Sequence, residues 1–138
     1  MKRNIRWLAI IFLFGLYSCT SISHFDKTAY EQITSVEADA LKLMDKAVTE
    51  YSANTKEIEE VKGNMQKAYF YDKNRPKNKI TAQMWQVIID PDGQSFGNFI
   101  QRWENEKNLR KVFIQEAKKK VQEHFDRIAQ LESKKIKS

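Results

Sequence analysis

Apolar and small residues recur at steps of mostly three and four along the first half of the chain: Ala29, Ile33, Val36, Ala40, Leu43, Ala47, Tyr51, Ile58, Val61, Met65 and Ala68. That spacing lines up one side of an α-helix. No proline falls between Ser23 and Asp72, and Gly63 is the only glycine there. Asn54 followed by Glu57 fits a capping box and marks a candidate break at residues 52–55. The stripe keeps its phase across that point. The pattern therefore predicts one long helix, bent there, in preference to two separate ones.

Pro76 lacks an N–H and disfavours helix at Arg75, so residues 72–78 end this segment. A short helix is predicted over residues 79–89, with Ile80, Met84, Val87 and Ile88 on one face. Pro91 and Gly93 punctuate a turn at residues 90–97, and Ser95 is placed to cap the next helix. That last helical region runs to Ser133. Phe96, Phe99, Ile100 and Trp103 form its first apolar face, and the polar residues 104–108 suggest a bend. The stripe resumes at Leu109, Val112, Phe113, Ala117, Val121, Phe125, Ile128 and Leu131. Residues 133–138 read as a frayed tail. The fold class is all-α. The expected architecture is a long antiparallel helical hairpin with a short additional helix near its far end, and a small four-helix bundle is the alternative.

The N-terminus has a different pattern. Lys2, Arg3 and Arg6 precede an apolar run of 11 residues, 7–17. As a helix this run is about 17 Å long, whereas a membrane span needs about 20 such residues. It suits a signal-peptide core rather than a permanent anchor. Leu16-Tyr17-Ser18-Cys19 completes the segment, and Cys19 is the only cysteine of the chain. The combination resembles the bacterial lipoprotein signal, whose lipobox it matches at Leu16, Ser18 and Cys19. The resemblance implies diacylglycerol on the Cys19 thiol and cleavage after Ser18. It divides the chain into a signal peptide, 1–18, and a helical lipid-anchored domain, 19–138. Each buried CH₂ contributes roughly 0.8 kcal/mol, so two or more acyl chains hold a protein firmly to a bilayer. The implied location is the bacterial cell envelope. Thr20, where an aspartate would favour inner-membrane retention, points by the same analogy to the outer membrane facing the periplasm of a Gram-negative cell.

Charge changes the picture once the signal is set aside. The whole chain carries a net +6, but residues 19–138 hold 21 basic and 18 acidic side chains, a net of +3. The basicity is partly a property of the signal, and no nucleic-acid partner is expected. Residues 19–71 carry 6 basic and 9 acidic side chains, and residues 107–138 carry 10 and 4. This asymmetry predicts an antiparallel pairing of the first and last segments, although each surface pair contributes little.

Candidate chemistry is sparse. One cysteine forms no internal disulfide and no thiolate metal cluster. The two histidines, His24 and His124, lie far apart in sequence. Residues 90–93 lack the ligand register of a calcium loop, because aligning Gly93 puts Ile88 and Phe99 at ligand positions. The common nucleophile, zinc-protease and phosphate-loop motifs are missing. No enzyme activity, cofactor, metal or small-molecule substrate is expected.

Two regions are candidate contacts with a partner. Tyr69, Phe70 and Tyr71 are consecutive, and successive helical residues turn by about 100°, so they do not all face one core. Lys73, Arg75, Lys77 and Lys79 lie just beyond them. Aromatics beside a basic segment suit a glycan, anionic lipid or partner protein, or simply a solvated helix end. Trp85, Phe96 and Trp103 flank the 90–97 turn and either line a groove or close a helix end. Lys118–Lys120 and Lys134–Lys135 read as a solvated face. The expected role is that of a lipid-anchored envelope protein with a non-enzymatic structural or interaction function. Its partner is another envelope protein, contacted through residues 69–79 and 90–97. The alternatives are a carrier for a small apolar or lipidic ligand, and a protective lipoprotein of the immunity or exclusion type.

Overall fold

The computed structural model describes residues 22–137; the segment 1–18 and Cys19 lie outside them. Five helices come in order: α1 (Lys27–Asp45), α2 (Thr55–Lys73), α3 (Lys79–Ile89), α4 (Phe96–Glu106) and α5 (Lys111–Lys134). Among the described residues there is no strand. The chain is an all-α helical bundle.

The single long helix expected over the first half is instead two helices. α1 starts where Asp26 Oδ1 accepts the Ala29 N–H at 2.9 Å, and it ends at Asp45. Two 3₁₀ turns, Lys46–Val48 and Tyr51–Ala53, reverse the chain, and α2 packs back along α1. Asn54 stands at the N-cap of α2 without capping it. Its Nδ2 donates instead to Thr49 Oγ1 and to the Glu50 carbonyl, which closes the reversal. Glu57, the other half of the expected capping box, pairs with Lys46 across that reversal. An unbroken apolar phase does not separate a straight helix from a hairpin, because both halves of a hairpin need a buried stripe.

α1 packs on α2 and α5, and α3 packs on the same two helices. These four form a ring of antiparallel neighbours around one core, so the bundle stands in place of the extended hairpin. α4 sits at one pole, against α3 and the Tyr51–Ala53 turn. Two backbone bonds tie this distal pole together, Tyr51 N–H to Lys107 C=O at 2.8 Å and Leu109 N–H to Ala47 C=O at 2.7 Å. Lys107 reaches its position with φ 70°, in a region that L residues rarely adopt. The bend expected at 104–108 is thus a full break between α4 and α5. At the start of α4, Gly97 meets the end of α3 so closely that a Cβ would lie 2.1 Å from the Ile89 oxygen. Only glycine allows that approach.

The first stripe is buried as expected, except that Tyr51 is half-buried. On α3 the face is displaced. Ile80 and Val87 are exposed, while Thr81, Trp85 and Ile88 point inward. Trp85 lies edge-on to Phe125 with centroids 5.8 Å apart, and a large aromatic gains more from burial than the shorter chains beside it. On α5 the expected core residue Val112 is exposed and Ile114 is buried. The predicted pairing of acidic and basic segments is seen in α1 against α5, with Lys118 Nζ 2.6 Å from Asp45 Oδ2.

Candidate functional site

The other pole gathers three segments that are remote in sequence. Ser23 N–H donates to the Lys77 carbonyl, and Ser23 Oγ donates to Asn78 Oδ1 at 2.8 Å. Asp26 N–H donates to Glu132 Oε1 at 2.8 Å. The start of α1, the α2–α3 loop and the end of α5 therefore meet here, at what we call the terminal pole.

Three buried charges and the half-buried Arg75 hold it together. Arg75 grips Glu132 as a fork, Nη2 to Oε1 at 2.9 Å and Nη1 to Oε2 at 3.1 Å. Its Nη1 also reaches Asp72 Oδ1 at 2.8 Å, and Nη2 donates to the His24 carbonyl. Lys135 Nζ lies 2.6 Å from Glu132 Oε2 and 2.8 Å from Asn78 Oδ1. Asp72 accepts from Asn78 Nδ2 and from the Trp85 indole at 2.7 Å. Glu132 is wholly buried, and Asp72 and Lys135 nearly so. Two acids and two bases cancel, and nearly every lone pair and N–H is used, the condition under which buried ions are tolerated. Burial pushes the Glu132 carboxyl up, but hydrogen bonds from Arg75 and Lys135 outweigh it and hold the group below its ordinary range. Burial opposes the Arg75 charge, and the bonds to Glu132 and Asp72 raise its pKa nonetheless. Asp26 is held low chiefly by the Ala29 N–H, and its hydrogen bond from the Tyr71 hydroxyl pushes that phenol up.

Around this closed interior the rim is open. Phe70 and Tyr71 in the last turn of α2, Ile80 in the first turn of α3 and Ile136 after α5 are all exposed. Lys27, Lys73, Lys79 and Lys134 are exposed on the same helix ends. Lys73 Nζ lies 5.5 Å from the Tyr69 ring centroid.

The sequence-predicted contact residues divide accordingly. Phe70 and Tyr71 face solvent, and Tyr69 is half-buried against the core. Arg75 is committed to the ion network. Trp85, Phe96 and Trp103 are core residues with at most 1% exposure, so they are not contact residues. Each of these tryptophan N–H groups has an internal acceptor: Asp72 for Trp85, and the Thr49 carbonyl at 3.0 Å for Trp103. The tail expected to fray carries Lys135, which is buried, so the basic run at 134–135 is not wholly a solvated face.

On the flank of the bundle, beside the middle of α5, the 90–97 turn is built as its residues demand. Asp90 Oδ1 accepts the Asp92 N–H, and the Asp90 carbonyl accepts the Gly93 N–H. Beside it lies a shallow apolar groove of about 270 Å³, with Met65, Ile89, Pro91, Phe96 and Ile100 in its wall and Tyr51 at its side. Ser95 does not cap α4 as expected. Its Oγ lies 2.8 Å from His124 Nδ1, a pairing between positions 29 residues apart. Burial, then Arg127 and Lys120, hold that imidazole below its ordinary value. A catalytic serine needs its histidine oriented by a third group. Among the described residues no carboxylate is hydrogen-bonded to the His124 ring, so the pair is read as a latch between α4 and α5.

Among the described residues no helix is long and apolar enough to cross a membrane. No protein-family model, curated protein or solved structure matches this chain.

Proposed function

We propose that this chain is a lipid-anchored protein of the bacterial cell envelope, with a non-enzymatic role in contact with another envelope protein. The observation that carries the reading is the sequence of the first 19 residues: a basic start, a short apolar run and a lipobox-like end at the sole cysteine. The bundle supports it through its geometry. Its described residues begin three positions after Cys19, at the terminal pole. The 90–97 turn and the apolar groove lie on the flank of the bundle: Ser95 packs against His124, ten residues before the end of α5, which is about 15 Å from the terminal pole. A protein held at Cys19 presents that turn and groove on its side, clear of the anchored pole and within reach of a partner.

Two measurements test this reading. Mass spectrometry of the native protein is expected to find an acylated Cys19 as the first residue. Photoreactive amino acids at Pro91 and Gln101, both exposed on the groove rim, are expected to give one discrete protein adduct in intact cells. An intact Met1 with unmodified Cys19 overturns the anchor, and no protein adduct from either position overturns the partner.

A further inference from the structure

We propose that the terminal pole is a membrane-contact face that docks on anionic lipid headgroups, with Phe70, Tyr71, Ile80 and Ile136 entering the bilayer interface. The inference rests on the lipid anchor of the proposed function for its setting, and on three further observations for its content.

The first is charge. Residues 22–30, 70–81 and 132–136 make up this pole and carry seven basic and three acidic side chains, a net of +4. The remainder of residues 19–138 holds 14 basic and 15 acidic side chains, a net of −1. The pole is thus more positive than the whole mature segment. Two of its three acids, Asp72 and Glu132, are buried in the ion network, and the third, Asp26, is only partly exposed. Lys73, Lys79 and Lys134 stand exposed at its rim. Such a surface complements the negative potential of anionic phospholipids.

The second is apolar exposure. Four of the seven large hydrophobic side chains exposed among the described residues lie within one turn of this pole. They include both exposed aromatics, and the three at other sites are single valines. Aromatic and aliphatic residues interleaved with lysines are the composition of an interfacial surface.

The third is tethering. Ser23 follows Cys19 by four positions and is fixed to the α2–α3 loop by two hydrogen bonds. Four residues span at most about 14 Å even when fully extended. An acylated Cys19 therefore keeps this pole within the reach of headgroups and confers a high effective concentration on weak contacts. A protein partner at the same face would have to fit within that gap.

The test uses the mature lipidated protein on two kinds of vesicle, phosphatidylcholine alone and phosphatidylcholine mixed with phosphatidylglycerol. Hydrogen exchange is read peptide by peptide, and Cys19 acylation is checked by mass in the same preparation. Exchange at residues 68–80 and 131–136 is expected to slow on the anionic vesicles, while the 90–97 turn is unchanged. Each lysine near an anionic surface is worth about fivefold, so Lys73→Glu/Lys79→Glu/Lys134→Glu should lower the docked-to-undocked ratio by at least about 100-fold. That variant alters exposed positions only, and it should stay on the vesicle through its acyl chains. Equal exchange on both vesicle types in acylated protein overturns the docking face while leaving the anchor intact. An unmodified Cys19 overturns the anchor alone; the same protection then still supports the face, and its loss removes it. Crosslinks from a photoreactive residue at position 70 that reach protein rather than lipid in native membranes also overturn the proposal.

Discussion

Glu132 and Lys135 lie one helical turn apart near the end of the chain, and in sequence they look like any solvated pair on a basic helix. Their burial depends on partners some 57 positions earlier, Arg75 and Asn78, which no local pattern reveals. The inward turn of the Trp85 indole is hidden for the same reason, because its acceptor Asp72 lies on another helix. Replacing Glu132 by Gln keeps the shape but removes the buried carboxylate that Arg75 and Lys135 share. The expected loss is about 3–5 kcal/mol of unfolding free energy, read by urea denaturation. pH acts on the same group. Its folded pKa lies below the ordinary 4.5, so the stability it contributes is present above 4.5 and is lost as pH falls through the folded value. His124 acts in a higher window. Its folded pKa is below 6.5, so the unfolded chain takes up the proton first and stability declines as pH falls from 6.5 toward the folded value. Replacing His124 by Gln should flatten the stability profile in that window and leave the loss below pH 4.5 in place. An unchanged slope near pH 6 would remove this account of His124.

At the scale of elements, the helical character of every segment was legible from periodicity, and so were the breaks at Pro76 and at residues 90–97. The reversal between α1 and α2 was not. It is made by side-chain bonds of Asn54 and by 3₁₀ turns, and the apolar phase passes through it unaltered. The inward face of α3 was also displaced by one position, because Thr81 and Trp85 find polar partners that make their burial favourable. At the junction of α3 with α4 backbone meets backbone. Gly97→Ala would drive a methyl group into the Ile89 carbonyl, and backbone does not give way as a side-chain end does. Overpacking of this kind costs typically about 1–3 kcal/mol. The variant should unfold at lower urea concentration, and its groove beside Pro91 should open, seen as faster hydrogen exchange at residues 89–97.

For the whole molecule, the uneven charge of the two halves correctly indicated that the first and last helices pair, and Lys118 with Asp45 is one such contact. It did not indicate which pole would collect the excess of positive charge, since that depends on loop 74–78 folding back beside Ser23 and Lys135. The candidate contact region at residues 69–79 was therefore visible only in part: Phe70 and Tyr71 are open, whereas Arg75 belongs to the interior lattice of charges. Cys19→Ala is the variant that speaks for the molecule as a whole. It should leave residues 1–18 uncleaved and change the electrophoretic mobility of the protein. Unaltered processing and acylation would show that the lipobox resemblance has no chemical consequence.

The four antiparallel helices of the ring bring the described residues back to the side on which they begin, and Ser23 and Lys135 accordingly lie at one pole. A fluorescent protein or epitope appended after Ser138 would begin three residues beyond Lys135, and so beside the basic pole. The same cargo inserted between Asp92 and Gly93 would project from the flank of the bundle, about 15 Å from that pole. Reporters placed at these two sites should therefore differ in their reach to antibodies or proteases on intact membranes, and the insertion, not the extension, is the design that leaves the basic pole unhindered.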